Sequence, residues 1–200
     1  MICFNAYTKI INKKYILNDI CAKFEFGKIY GIVGRNGSGK TMLLRAICGL
    51  IHPTHGEINI PKGTTFGALI ESPGFMFDQS AIFNLQYLAS LNKVIDNSVI
   101  ENWMKRFDLF EFRKQKVKKY SLGMQQKLGI IQAIMENPNV IVLDEPFNGL
   151  DDISLKKAKE VLQELNKEMD TTIFIASHDR EIIEELCDEI ILIEEGRIAN

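Results

Sequence analysis

No run of apolar residues in this sequence approaches the ~20 needed to cross a bilayer, and its start lacks a signal-peptide pattern. A spanning or secreted chain is therefore not expected; a cytosolic one is, which leaves room for docking on a membrane partner. Cysteine is sparse: Cys3, Cys21, Cys48 and Cys187 are scattered, with no C-x-x-C spacing. Each sits in an apolar stretch, so buried, reduced thiols are expected rather than a disulfide framework. Neither sign of charge dominates. The 24 Lys and Arg against 26 Asp and Glu give a formal −2, so there is no polyelectrolyte signal and nucleic acid is not favoured as a partner. What remains is 46% hydrophobic and 25% charged over 200 residues, enough for one full core with a smaller subdomain attached.

One stretch organises the chain: Gly34-Arg35-Asn36-Gly37-Ser38-Gly39-Lys40-Thr41. It follows the apolar run Ile29-Tyr30-Gly31-Ile32-Val33, which reads as a buried strand, and leads into apolar residues at helical spacing. Strand, glycine loop and helix are the context of a phosphate-binding loop. Glycines let backbone N–H groups turn inward, and the helix start adds partial positive charge beneath the phosphates. Lys40 then supplies a cation for the terminal phosphates and the Thr41 hydroxyl a ligand for Mg²⁺.

Around this loop, residues 1–26 read as strands, with 2–4 and 20–26 richest in β-formers, as do 56–60 and 66–70, which suggests an antiparallel β portion beside the core. Residues 80–91 and 97–110 carry helical periodicity, so a helical subdomain, roughly 72–136, is expected as an insert. A basic stretch closes the segment (Arg113, Lys114, Lys116, Lys118, Lys119), and it reads first as a solvated face and second as a surface for a partner or anionic lipid. From Ser121 helices (122–136, 153–169, 179–187) alternate with apolar strands (140–143, 172–176, 190–193), the pattern of a parallel sheet covered on both faces.

Ligands on such sheets sit at the carboxyl ends of strands. There, Asp144-Glu145 follows one strand and Ser177-His178 the next. Beside a phosphate loop, Asp144 suits Mg²⁺, Glu145 suits polarisation of an attacking water, and His178 suits the γ-phosphate.

With Tyr120-Ser121-Leu122-Gly123-Met124-Gln125-Gln126-Lys127 ahead of the carboxylates and Phe147-Asn148-Gly149-Leu150-Asp151 after them, the chain resembles the nucleotide-binding subunit of an ABC transporter over essentially its whole length. With Ala68-Leu69-Ile70-Glu71-Ser72-Pro73-Gly74-Phe75 upstream, it looks most like the branch exporting bacitracin and lantibiotic-type peptides. The resemblance implies a single ABC ATPase domain over residues 1–200. It implies a head-to-tail dimer with a second ATPase subunit, in which ATP lies between the Gly34–Thr41 loop (Gly34, Arg35, Asn36, Gly37, Ser38, Gly39, Lys40, Thr41) and Ser121 and Gly123 in trans. It implies Glu145 and His178 as catalytic, Thr41, Asp144 and Glu71 at the metal, Asp151 on the dimer loop, and a separate transmembrane permease holding the subunit at the inner face of the membrane. No regulatory C-terminal domain is expected.

Leu122 and Met124 depart from the usual signature glycine and glutamine, and Glu71 replaces the usual glutamine; a carboxylate there can ligate Mg²⁺ but donates no amide hydrogen bond. The adenine-stacking aromatic is expected near Ile11, where there is none, so Tyr15 or Tyr7 is the substitute. A soluble ABC-type ATPase acting in assembly or on nucleic acid is the alternative; it would call for coiled-coil inserts, a tandem domain or a strongly basic surface. A phosphate-loop kinase would leave the Ser121 motif unexplained.

Overall fold

The computed structural model describes residues 1–92 and 95–199. At its centre is β3 (Ile29–Val33), in which all five residues are buried. Such a strand needs cover on both faces, and it has it. β3 lies in a six-stranded sheet between β7 (Thr172–Ala176) and β8 (Glu189–Glu194), with β6 (Val140–Asp144) and β5 (Phe66–Leu69) beyond β7 and β9 (Arg197–Ile198) beyond β8. All pairs are parallel except β8–β9. The α/β class with an antiparallel portion is as the sequence predicts.

That portion is a three-stranded sheet in which β1 (Ile2–Ile11) lies between β2 (Lys14–Phe24) and β4 (His55–Asn59). The first two strands fill most of residues 1–26, the stretch read as strands, and run on beyond its segments richest in β-formers, 2–4 and 20–26. Ala6 and Asp19 adopt positive φ (49° and 56°), and register shifts break the two-residue alternation that would have revealed them. A tight turn with both Asn12 and Lys13 at positive φ joins them. The alternation also corrects the expectation of four buried thiols: Cys21 falls on the outer face and is exposed, while Cys3, Cys48 and Cys187 are half-buried, and all four are free. Burial pushes the Cys48 and Cys187 thiols up to about 12, so both stay protonated and unreactive at neutral pH.

Between the two sheets lie Phe4, Tyr7, Phe24, Tyr30 and Phe174, with ring centroids 5.1–6.0 Å apart. Each such pair contributes ~0.5–1.5 kcal/mol beyond the area it buries. The first helix, α1 (Lys40–Ile47), packs Leu43, Leu44 and Ile47 into this layer. Tyr7, one aromatic considered for a nucleotide base, is fully buried here, with its hydroxyl donating to the Ile51 carbonyl at 3.0 Å, so it is unavailable for that role.

On the other face lie α4 (Leu122–Ile134), α5 (Asp152–Met169) and α6 (Arg180–Leu186), with α2 (Ala81–Asn92) and α3 (Asn97–Arg106) packed on α4. α3 stops short of residue 110. Asp108 takes φ 57°, and the Leu109 and Asp108 N–H groups close on the Met104 and Lys105 carbonyls, a left-handed cap built without glycine. Arg106 then pairs with Glu164 and Lys157 with Asp108, tying the end of α3 to α5. Among the described residues, no helix is long and apolar enough to cross a membrane.

Candidate active site

The loop from Gly34 to Gly39 leaves the carboxyl end of β3 and is pressed against neighbouring backbone. A Cβ on Gly34 would lie 2.3 Å from the Ile193 carbonyl oxygen, so only glycine permits this approach. Gly39, at φ 113°, caps α1 without any side-chain bond, leaving the first N–H groups of the helix pointing into the loop. From the other side, Gly196 N–H donates to the Ser38 carbonyl at 2.9 Å, and the Gly196 carbonyl accepts from Asn18 N–H at 2.7 Å. The β8–β9 turn thus straps the loop to β2. Arg35 and Asn36 border both a cleft of about 1040 Å³ beside Asn18 and Arg197 and one of about 630 Å³ beside Ser177 and His178.

Three features of the loop fit a phosphate anion. Lys40 is buried, and its ammonium donates only to neutral carbonyls, Gly34 at 2.8 Å and Arg35 at 3.3 Å. The Ser38 hydroxyl is buried with no hydrogen-bond partner. The α1 N-terminus adds its partial positive charge. A triphosphate would engage all three.

Asp144 ends β6, and its Oδ2 accepts from the Thr41 hydroxyl at 2.7 Å. Burial, then the charge of Glu145, raise its carboxyl above the usual range, against the pull of the Thr41 bond. Two hard oxygen ligands that meet beside a phosphate site, one of them a poorly solvated carboxylate, fit Mg²⁺, which prefers few protein ligands plus phosphate oxygens. Glu71, which the resemblance puts at the metal, faces α1 in this structure. Residue 71 takes φ 60°, and its exposed carboxylate pairs with Arg45 on α1 at 2.9 Å, so its effect on Asp144 is through space.

Glu145 takes φ 49° immediately after β6. Its Oε2 lies 2.9 Å from His178 Nδ1 and accepts weakly from the Ser177 hydroxyl (3.3 Å) and His178 N–H (3.4 Å). The structure therefore gathers Lys40, Thr41, Asp144, Glu145 and His178 at the ends of β3, β6 and β7. It places Ser121 and Gly123 elsewhere, at the start of α4. Ser121 caps that helix, its hydroxyl accepting from Met124 N–H at 3.2 Å. A Cβ on Gly123 would lie 2.5 Å from the Gly149 carbonyl oxygen, so the helix start and the loop after β6 meet backbone to backbone. Asp151 caps α5 by accepting from Ser154 N–H at 2.8 Å, a bond that holds its carboxyl below the usual range. Ile11 and Tyr15 are both exposed near the β1–β2 turn, Tyr15 next to Ile16, whose carbonyl covers Gly39 and Gly196.

Two residues of this constellation escaped the sequence reading: Arg45, and Gln126, whose buried amide donates to the Glu145 carbonyl at 3.0 Å. The signal for Gln126 was available. It occupies the helical face of Ile130 and Ala133, four and seven residues on, where a polar side chain needs a partner.

The sequence profile of the ABC transporter family matches residues 17–148. An ABC transporter ATP-binding protein of Bacillus subtilis (strain 168), YybJ, is 40% identical over 200 residues, covering 96% of this chain and 91% of that protein. The bacitracin transport ATP-binding protein BcrA of Enterococcus faecalis is 37% identical over 203 residues, covering 96% of this chain, which spans only 66% of BcrA. Among solved structures, the dimeric structure of MJ0796, a bacterial ABC transporter cassette, superposes with a TM-score of 0.91 at 24% identity, over 100% of this chain and 97% of that one.

Proposed function

Since the chain belongs to the ABC transporter family and is an ATP-binding, ATP-hydrolysing subunit of it, we propose that it powers an exporter of peptide antibiotics or related compounds through ATP-driven closure of a head-to-tail dimer. The likeness to a bacitracin transport subunit supports the cargo class. The observation that carries the catalytic reading is that Lys40, Thr41, Asp144, Glu145 and His178 lie together at the carboxyl ends of β3, β6 and β7.

On ATP binding, Lys40 exchanges the Gly34 and Arg35 carbonyls for phosphate oxygens, and the Ser38 hydroxyl gains its missing partner. Mg²⁺, held by Thr41 and Asp144, would neutralise phosphate charge and orient the leaving group. His178 holds Oε2 of Glu145, which leaves Oε1 to take the proton of the attacking water. The α4 N-terminus with Ser121 and Gly123 covers the γ-phosphate of the partner subunit's ATP. Leu122 (65% exposed) and Ile153 (77% exposed) flank that surface and lose water when the dimer closes. Exposed Phe77, Phe83, Tyr87 and Leu91 on and before α2 form the face for a transmembrane permease, which keeps the subunit at the inner surface of the membrane.

Glu145→Gln tests the assignment. It should bind Mg-ATP normally and accumulate ATP-bound dimers while turnover falls by about 10²–10⁴-fold, the range for loss of a general base. Hydrolysis at the normal rate would transfer the role to another group.

A further inference from the structure

Glu145 is held in an unfavourable backbone conformation from two sides. At φ 49° it stands in the left-handed region that side-chain-bearing residues avoid, and such a conformation persists only where its surroundings impose it. Its N–H donates to the Ala176 carbonyl of β7 at 2.8 Å. Its carbonyl accepts from Gln126 of α4 at 3.0 Å and, through a longer bond, from Asn148 N–H at 3.4 Å. Gln126 is buried, 8% exposed, so the alternative for its amide is an unsatisfied donor rather than water. The two anchors fix both peptide planes around Glu145, and those planes determine where its carboxylate points.

We propose that Gln126 is a positioning residue for hydrolysis: its amide imposes the left-handed turn that aims the Glu145 carboxylate into the phosphate site. Without that donor the Glu145 carbonyl keeps only the long bond from Asn148 N–H, so the peptide relaxes toward ordinary φ values and the carboxylate swings off the line of the attacking water. ATP binding, which uses the Gly34–Lys40 loop, is untouched. This inference rests on the reading of Glu145 as the group that takes the water's proton.

Gln126→Met keeps the length and bulk of the side chain and removes only the donor. Turnover and Mg-ATP affinity are measured for this variant in the natural background and in Glu145→Gln, with single-turnover assays for the slow proteins. The expected result is an affinity within about twofold of the natural protein, kcat lower by about ten- to a hundredfold, and no further loss in the Glu145→Gln background, as required of two residues acting as one unit. A kcat within twofold of normal, or an equal loss in both backgrounds, overturns the proposal. If Gln126→Met does not fold, Gln126→Leu, which likewise has no donor, is read against the same two outcomes. Normal turnover in Glu145→Gln alone would instead overturn the role given to Glu145.

Discussion

Asp144 carries an electrostatic cost in the folded protein. Its carboxyl is buried beside Glu145 and is relieved mainly by one hydroxyl, so its folded form titrates above the unfolded one. For a carboxyl raised in this way, the penalty is present at pH values above the folded pKa. It fades as pH falls toward the unfolded value, where both forms are protonated. Asp144→Asn keeps the shape and the bond from Thr41 while removing the charge. It should therefore raise the Tm of the nucleotide-free protein at pH 7 by about 2–4 °C and at the same time weaken Mg-ATP binding. Calorimetry with and without nucleotide checks both halves, and a Tm that falls would mean that the charge is already compensated. Residues such as Lys40, Thr41, Asp144 and His178 were legible in the sequence because each closes a short run of strand and loop. Arg45 was not, because only the fold brings its partner alongside, and Gln126 announced by its apolar helical face that it needs a partner without showing which one.

The Arg45–Glu71 pair belongs to elements rather than to the site, since it joins the helix behind the phosphate loop to the segment that follows β5 and leads into α2. Both side chains are partly or largely solvated, so the pair contributes at most about 1 kcal/mol to stability. Its geometry is another matter, because α1 and the helical segment cannot shift independently while it is made. Arg45→Ala and Glu71→Ala should each leave the Tm nearly unchanged, yet lower permease-stimulated hydrolysis more than basal hydrolysis, and the double variant should do no worse than either. Equal proportional losses of the two rates would assign Glu71 to the metal site instead. Elements themselves were legible where one period ran unbroken: Thr172–Ala176 is the strand expected, and α5 begins one residue early. Positive φ without a glycine to announce it blurred them: Ala6 and Asp19 hide the limits of the first two strands, and Asp108 ends α3 short of residue 110. Local pattern cannot show a backbone conformation that tertiary packing imposes.

At the scale of the whole molecule, the phosphate loop is assembled from distant parts of the chain. β3 has β7 and β8 as neighbours, and the Glu195-Gly196 turn closes over Ser38. This arrangement sets a timetable for the protein as it is made. When the loop leaves the ribosome, the strands that flank it and the turn that straps it are not yet synthesised, so nascent chain of that length has a phosphate-loop sequence but no pocket. Stalled nascent chains that expose residues only up to Asp188 should neither bind ATP nor gain protease protection from it, whereas chains exposed through Ala199 should do both. Protection at the shorter length would show that the loop is shaped by β3 and α1 alone. ATP would then meet this pocket only once β7, β8 and the Glu195-Gly196 turn have all emerged, and the nucleotide would act as a seal on an assembled fold instead of a template for it.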